Sequence, residues 1–296
     1  MKRKHVVLFS GLIALASLVL VIFNLITSRN YYAEEYRPQF HFSPEENWLN
    51  DPNGMVYYDG EYHLFYQYYP YENKWGPMHW GHCRTKDFIK WEELPCALAP
   101  DMEYDGQGCF SGTAVEHEGK HILMYTSVLE KDLEDGTHMV RQTQSIAIGD
   151  GKKKKKVAEN PVITADCLPE GSSPVDFRDP KIWKEDGRFY ALIGSKAEDG
   201  SGQLALFTSE DALHWNYEKM IDQCKNRYGK MWECPDFYPV GDKYVLMFSP
   251  MGGKERTSVY LVGDFDYDTG KFFYTISGEI DWGFDYYAPQ SFLAPD

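Results

Sequence analysis

One strand-turn-strand unit is written four times along this chain, and a repeat of that kind limits the fold more than any other feature. The copies read GMVYYDGEYHLFYQ from Gly54, GTAVEHEGKHILMYT from Gly112, DPKIWKEDGRFYALIG from Asp179 and CPDFYPVGDKYVLMFS from Cys234. Each places two strand-like runs around a short polar turn containing glycine, the pattern of a β-hairpin. Tyr62, His121, Phe189 and Tyr244 open the second strands. Ten or eleven residues upstream of them stand Asp51, Phe110, Asp179 and Glu233. Successive units are therefore offset by 59, 69 and 54 residues. That is longer than the roughly 40–50 residues of common propeller repeats, so loop insertions are expected. An all-β propeller is predicted, in which equivalent residues of different blades converge on one axis. Three acids far apart in sequence would then share one pocket.

A second echo supports the repeat. Thr85-Lys86-Asp87-Phe88-Ile89-Lys90-Trp91 and Ser209-Glu210-Asp211-Ala212-Leu213-His214-Trp215 share the form [ST]-x-D-x-x-x-W. A short turn closed by hydroxyl and carboxylate side chains, followed by a Trp that starts a strand, suits an outer hairpin of a blade.

The strings WLNDPNG, FYQYYP, WGPMHWGH, CFSGTAV, FRDP, MWECPD and DYYAPQ occur in order from residue 37 onward. In that order and spacing the chain resembles family 32 of the glycoside hydrolases, the invertase, sucrose-6-phosphate hydrolase and fructanase family. The resemblance implies a five-bladed β-propeller followed by a C-terminal β-sandwich. Residues 281–296 would open a fifth blade that this sequence leaves incomplete, with the sandwich absent. Leu49, Thr113 and Tyr69 depart from the common family pattern, and of these Tyr69 bears on substrate size.

Cleaving a glycosidic bond needs one carboxylic acid to protonate the leaving oxygen and a carboxylate on the other side of the ring. By resemblance Asp51 is the nucleophile, Glu233 the acid/base and Asp179 the group that stabilises the transition state, with retention of configuration. Three carboxylates in one pocket repel, so at least one proton should persist to higher pH, with Glu233 its natural holder. Asn50, Gln67, Trp75, Phe110, Ser111 and Arg178 look like family residues around the fructosyl unit. Tyr287 and Gln290 lie in the family-like DYYAPQ stretch. Trp80, Trp91, Trp183 and Trp215 read instead as blade packing. The implied enzyme is a β-fructofuranosidase that hydrolyses sucrose or related β-fructofuranosides. A fructosyltransferase with the same acids and a non-catalytic fructan-binding propeller are the alternatives.

Charge and cysteine usage exclude other classes. The formal charge of −15 becomes −19 once the four basic residues of the first thirty positions are set aside. A surface that acidic repels phosphate backbones and anionic lipid, so a small carbohydrate rather than nucleic acid is the expected partner. The Lys152–Lys156 run reads as a solvated hairpin tip. Six cysteines show neither CxxC nor Cys/His metal spacing, and neither metal nor cofactor is expected. At the N-terminus, Lys2, Arg3 and Lys4 precede the mostly apolar stretch Val6 to Ile26. Its length favours a transmembrane signal anchor within residues 1–30, with the propeller of residues 31–296 outside the cell membrane, over a cleaved signal that would give a secreted form.

Overall fold

The computed structural model describes residues 17–19, 33–223, 225, 227–252 and 257–295. The expected anchor, Val6 to Ile26, lies outside the described residues except for positions 17–19. Among the described residues no helix is long and apolar enough to cross a membrane. Two compact units are present, Met1–Glu45 and Glu46–Asp296. In the first, Arg37 pairs with Glu34 at 2.9 Å and donates to Ser43 Oγ at 3.0 Å. All the sheets belong to the second.

Among the described residues sixteen strands form four antiparallel four-stranded sheets, each a meander of consecutive strands. The first sheet is β1 (Trp48–Tyr58), β2 (Glu61–Tyr69), β3 (His79–Thr85) and β4 (Trp91–Leu98). The second is β5 (Gly108–His117), β6 (Lys120–Asp132), β7 (His138–Gly149) and β8 (Lys154–Lys156). The third is β9 (Ser172–Glu185), β10 (Arg188–Ala197), β11 (Gly202–Ser209) and β12 (Asn216–Gln223). The fourth is β13 (Met231–Val240), β14 (Lys243–Met251), β15 (Val259–Asp266) and β16 (Lys271–Glu279).

The apolar residues form three wedges between neighbouring sheets. Val56, Phe65 and Trp80 of the first sheet meet Cys109, Leu123 and Tyr125 of the second. Between the second and third, Ile122, Met124 and Ile146 pack with Phe177, Phe189, Ile193 and Phe207. Between the third and fourth, Leu192, Leu204 and Leu206 pack with Trp232, Phe237, Leu246 and Phe248. Strand alternation explains how one strand serves two wedges. On β10, Phe189, Ala191 and Ile193 face one neighbour while Tyr190 and Leu192 face the other. Both faces are covered, so the strand reads as a nearly continuous apolar run. Each large side chain buried this way contributes about 1.5–3 kcal/mol. Trp80, Trp183 and Trp215 lie in or against these wedges.

The two echoing heptads form the same turn. Thr85 Oγ1 accepts from Asp87 N and Phe88 N at 3.2 and 3.0 Å, and Asp87 Oδ1 accepts from Ile89 N and Lys90 N at 2.9 and 2.8 Å. Asp211 Oδ1 repeats this with Leu213 N and His214 N at 2.9 and 2.8 Å. Phe88 and Ala212 occupy the same left-handed position, at φ 58° and 62°.

The expectation of five blades is overturned: the described residues form four, each complete in four strands. Residues 281–295, expected to open a further blade, carry no strand. The reason is local. Pro289 has no N–H to give to a ladder, and Ala288 before it is left-handed at φ 55°. The free amides of the segment donate instead to side chains, Ala288 N to Ser249 Oγ at 2.8 Å and Ser291 N to Asp236 Oδ2.

The lysine run also differs from its expected solvated form. Lys156 turns inward, and its ammonium pairs with Asp101 and with the fully buried Asp105. Asp105 in turn accepts from Tyr125 OH at 2.8 Å. The strand β8 is thereby fastened to the loop that leads into β5.

Candidate active site

Each sheet begins with a strand that carries a β-bulge at the equivalent place. The register shifts fall between Leu49 and Pro52 on β1, Phe110 and Gly112 on β5, Arg178 and Lys181 on β9, and Glu233 and Asp236 on β13. Three of them contain a proline, at Pro52, Pro180 and Pro235. A residue without an N–H interrupts the ladder, and the bulge re-aims the adjoining side chain. Asp179 and Cys234 take left-handed conformations there, φ 64° and 46°. On β5 the bulge is followed by Gly112, where a Cβ would stand 2.0 Å from the Met124 carbonyl oxygen, so only glycine fits.

These bulges surround a cavity of about 270 Å³ lined by Trp48, Asn50, Asp51, Gln67, Trp75, Phe110, Ser111, Arg178, Asp179, Glu233 and Tyr287. Asp51 Oδ2 accepts from Ser111 Oγ at 2.7 Å, and Cys234 Sγ lies 3.6 Å from the same oxygen. Asp179 Oδ2 accepts from Cys234 N at 3.0 Å. Glu233 is held at both oxygens: Arg178 donates to Oε1 from Nη2 at 2.8 Å and Nε at 3.1 Å, while Tyr287 OH donates to Oε2. Arg178 is itself oriented by Asp176 and by Gln142 Oε1, both 3.2 Å from Nη1.

Sequence reasoning did not single out Trp48, Gln142 or Asp176. Trp48 opens the WLNDPNG string and donates from Nε1 to Asn50 Oδ1 at 2.7 Å, which orients that amide toward the cavity. That string was a usable signal, whereas nothing near Gln142 pointed to Arg178. Gln290 is placed elsewhere than the cavity lining. Its Oε1 accepts from Gly54 N at 2.6 Å and its Nε2 donates to Gly112 O at 3.0 Å, joining β1 to β5. Trp75 is half exposed and meets Phe110 edge-on at 5.9 Å, so the two rings form an apolar wall.

The like charges bear most heavily on Asp179. Burial, with Glu233 and Asp51 adding to it, pushes its carboxyl up to about 7, against the pull of Arg178 and the Cys234 amide. An upward shift of the kind expected where three carboxylates share a pocket is thus present at Asp179. Burial also pushes the Tyr287 phenol up, and Glu233 beside it adds to the effect, so this hydroxyl remains a donor.

A carboxyl whose folded pKa lies above its unfolded value stabilises the fold fully below pH about 4 and loses that contribution as pH rises through about 7. Asp179→Asn, permanently neutral, is therefore expected to melt roughly 5 °C above the native chain at pH 8, with the gap closing toward pH 4. Thermal melts across that range check this. A gap that stays constant, or widens toward low pH, would contradict the assignment.

The model for the glycosyl hydrolases family 32 N-terminal domain matches residues 41–296. A sucrose-6-phosphate hydrolase of Zymomonas mobilis is 40% identical over 286 residues, covering 89% of this chain and 54% of that protein. A levanase of Bacillus subtilis is 39% identical, covering 80% of this chain and 35% of that protein. The structure of a Bombyx mori beta-fructofuranosidase superposes with a TM-score of 0.79 at 39% identity, covering 88% of this chain and 56% of that one. A mutant of that enzyme, 38% identical, has been solved in complex with sucrose. The chain spans about half the length of the curated relatives it matches. By the family model and by these identities the chain belongs to family 32 of the glycosyl hydrolases.

Proposed function

We propose that this chain carries the catalytic machinery of a retaining glycoside hydrolase that releases fructose from sucrose and related β-fructofuranosides. The observation that carries the reading is the meeting of Asp51, Asp179 and Glu233, one from the inner strand of each of three sheets, in a single cavity of a family 32 chain. In the first step the Asp51 carboxylate attacks the anomeric carbon of the fructosyl unit. The bond to the leaving oxygen breaks, and Glu233 gives that oxygen its proton. In the second, Glu233 takes a proton from water, which attacks the anomeric carbon and restores Asp51 as a carboxylate.

The other residues divide the work. Arg178 and Tyr287 hold the Glu233 carboxyl from opposite sides through both transfers. Asp179, its carboxyl pushed up to about 7 by burial, can in its protonated form donate to a sugar hydroxyl. Asn50, Gln67 and Ser111 offer polar contacts to the ring, and Trp48, Trp75 and Phe110 cover its apolar face. Product analysis on sucrose, sucrose-6-phosphate, inulin and levan tests the reading. Fructose is expected from sucrose, and absence of fructose from all four would overturn it.

The apolar run Val6 to Ile26 behind Lys2, Arg3 and Lys4 supports a signal anchor that holds the catalytic unit outside the membrane. Cell fractionation is expected to leave the full chain in the membrane pellet, with the catalytic unit open to external protease. Recovery of a released form beginning near Ala33 would establish cleavage instead.

A further inference from the structure

Residues 286–292 run past the inner strands of all four sheets and are fastened at each. Ala288 N donates to Ser249 on β14, and Gln290 bonds to Gly54 on β1 and Gly112 on β5. Ser291 N donates to Asp236 on β13, while Lys181 Nζ on β9 reaches Ser291 O at 3.4 Å. Lys181 and Asp236 form an ion pair at 2.5 Å, and the Asp236 side chain is wholly buried. Neither residue lines the catalytic cavity. Desolvating two charges is seldom offset by their attraction alone, and apolar residues of similar volume often give equal stability. An ion pair buried here, away from the cavity and joined to one segment, calls for a role beyond stability.

The same segment carries Tyr287, whose hydroxyl donates to Glu233 Oε2. A glutamate has three side-chain torsions, and Arg178 restrains it through Oε1 only. Tyr287 supplies the second point that fixes the carboxyl. Its own place is set by the backbone at 288 and 291 together with a longer contact of its hydroxyl to Ser249 O at 3.4 Å. We propose that Asp236, charge-compensated by Lys181, is a positioning residue for Glu233: by accepting the Ser291 amide it fixes the strap 286–292 and so keeps the Tyr287 hydroxyl on the acid/base carboxyl. The inference rests on the family 32 reaction proposed above. A general acid displaced by about 1 Å can lose on the order of 100-fold in rate, and the loss falls hardest on poor leaving groups that need the proton most.

Two double variants of the full chain test this, since either single change would leave a buried charge unpaired. Lys181→Met with Asp236→Asn removes both charges but retains an oxygen that can accept from Ser291 N. Lys181→Met with Asp236→Leu removes the acceptor as well. Amide hydrogen exchange is expected to leave the Ala288 and Ser291 amides protected in the first and to expose them in the second by about 100-fold. This readout decides the fastening whether or not the chain turns over sucrose. With sucrose the Leu variant is expected to lose at least about 10-fold in kcat while the Asn variant stays within about threefold of the native chain. With an aryl β-fructofuranoside of activated leaving group, the Leu variant is expected to lose no more than about threefold. Adding Tyr287→Phe to the Leu variant should then cost little further, because both changes remove one contact. Unchanged exchange in the Leu variant, equal losses on both substrates, or full additivity with Tyr287→Phe would overturn the proposal.

Discussion

Asp51→Asn is expected to lower turnover of sucrose by at least about four orders of magnitude, the scale seen when a nucleophile is removed from a covalent mechanism. The fold should persist, because asparagine has nearly the volume of aspartate and keeps an oxygen for Ser111 Oγ, which lies 2.7 Å from Oδ2. The bulge that aims residue 51 is set by Pro52 rather than by the carboxylate, and is untouched. Rates on purified variant, with a thermal melt within a few degrees of the native one, check this. A loss of only tenfold in a well-folded variant would remove Asp51 from the nucleophile's role.

Glu233→Gln should produce the second large effect, with a different signature. General acid–base catalysis contributes about 10²–10⁴-fold, so sucrose turnover is expected to fall in that range. A substrate whose leaving group departs without a proton should still form the fructosyl intermediate readily and then stall, because no base remains to activate water. Rapid-mixing kinetics would show a burst of leaving group followed by a slow steady state. The amide can still accept from Arg178 at one end while its NH₂ faces the Tyr287 hydroxyl, so both neighbours remain partnered. Equal loss on activated and natural substrates, with no burst, would assign the proton transfer elsewhere.

Local chemistry made much of this readable from the residues. The second strands begin within one residue of Tyr62, His121, Phe189 and Tyr244, because strand alternation and a glycine turn are written within a dozen positions. The turns at Asp87 and Asp211 are alike because a carboxylate capping the amides two and three residues ahead needs no help from the rest of the chain. Asp51, Asp179 and Glu233 could be aligned from the repeat, each ten or eleven residues before Tyr62, Phe189 or Tyr244 and one or two before a proline that interrupts the ladder.

What only the tertiary structure decided involves groups far apart in sequence, whose meeting depends on how the sheets pack. The path of residues 281–295 is one case: the segment looks strand-like, but Ala288 N goes to Ser249 Oγ and Ser291 N to Asp236. Lys156 belongs to a charged run, yet it turns inward because the buried Asp105, 51 residues away, requires a cation. The Asp179 carboxyl is pushed up because packing buries it beside Asp51 and Glu233, both more than fifty residues away in sequence. Backbone preference is a property of neighbours in the chain, and the sequence by itself determined the hairpins and their acids. Burial, charge compensation and the path of the strap are properties of neighbours in space, and packing alone settled them.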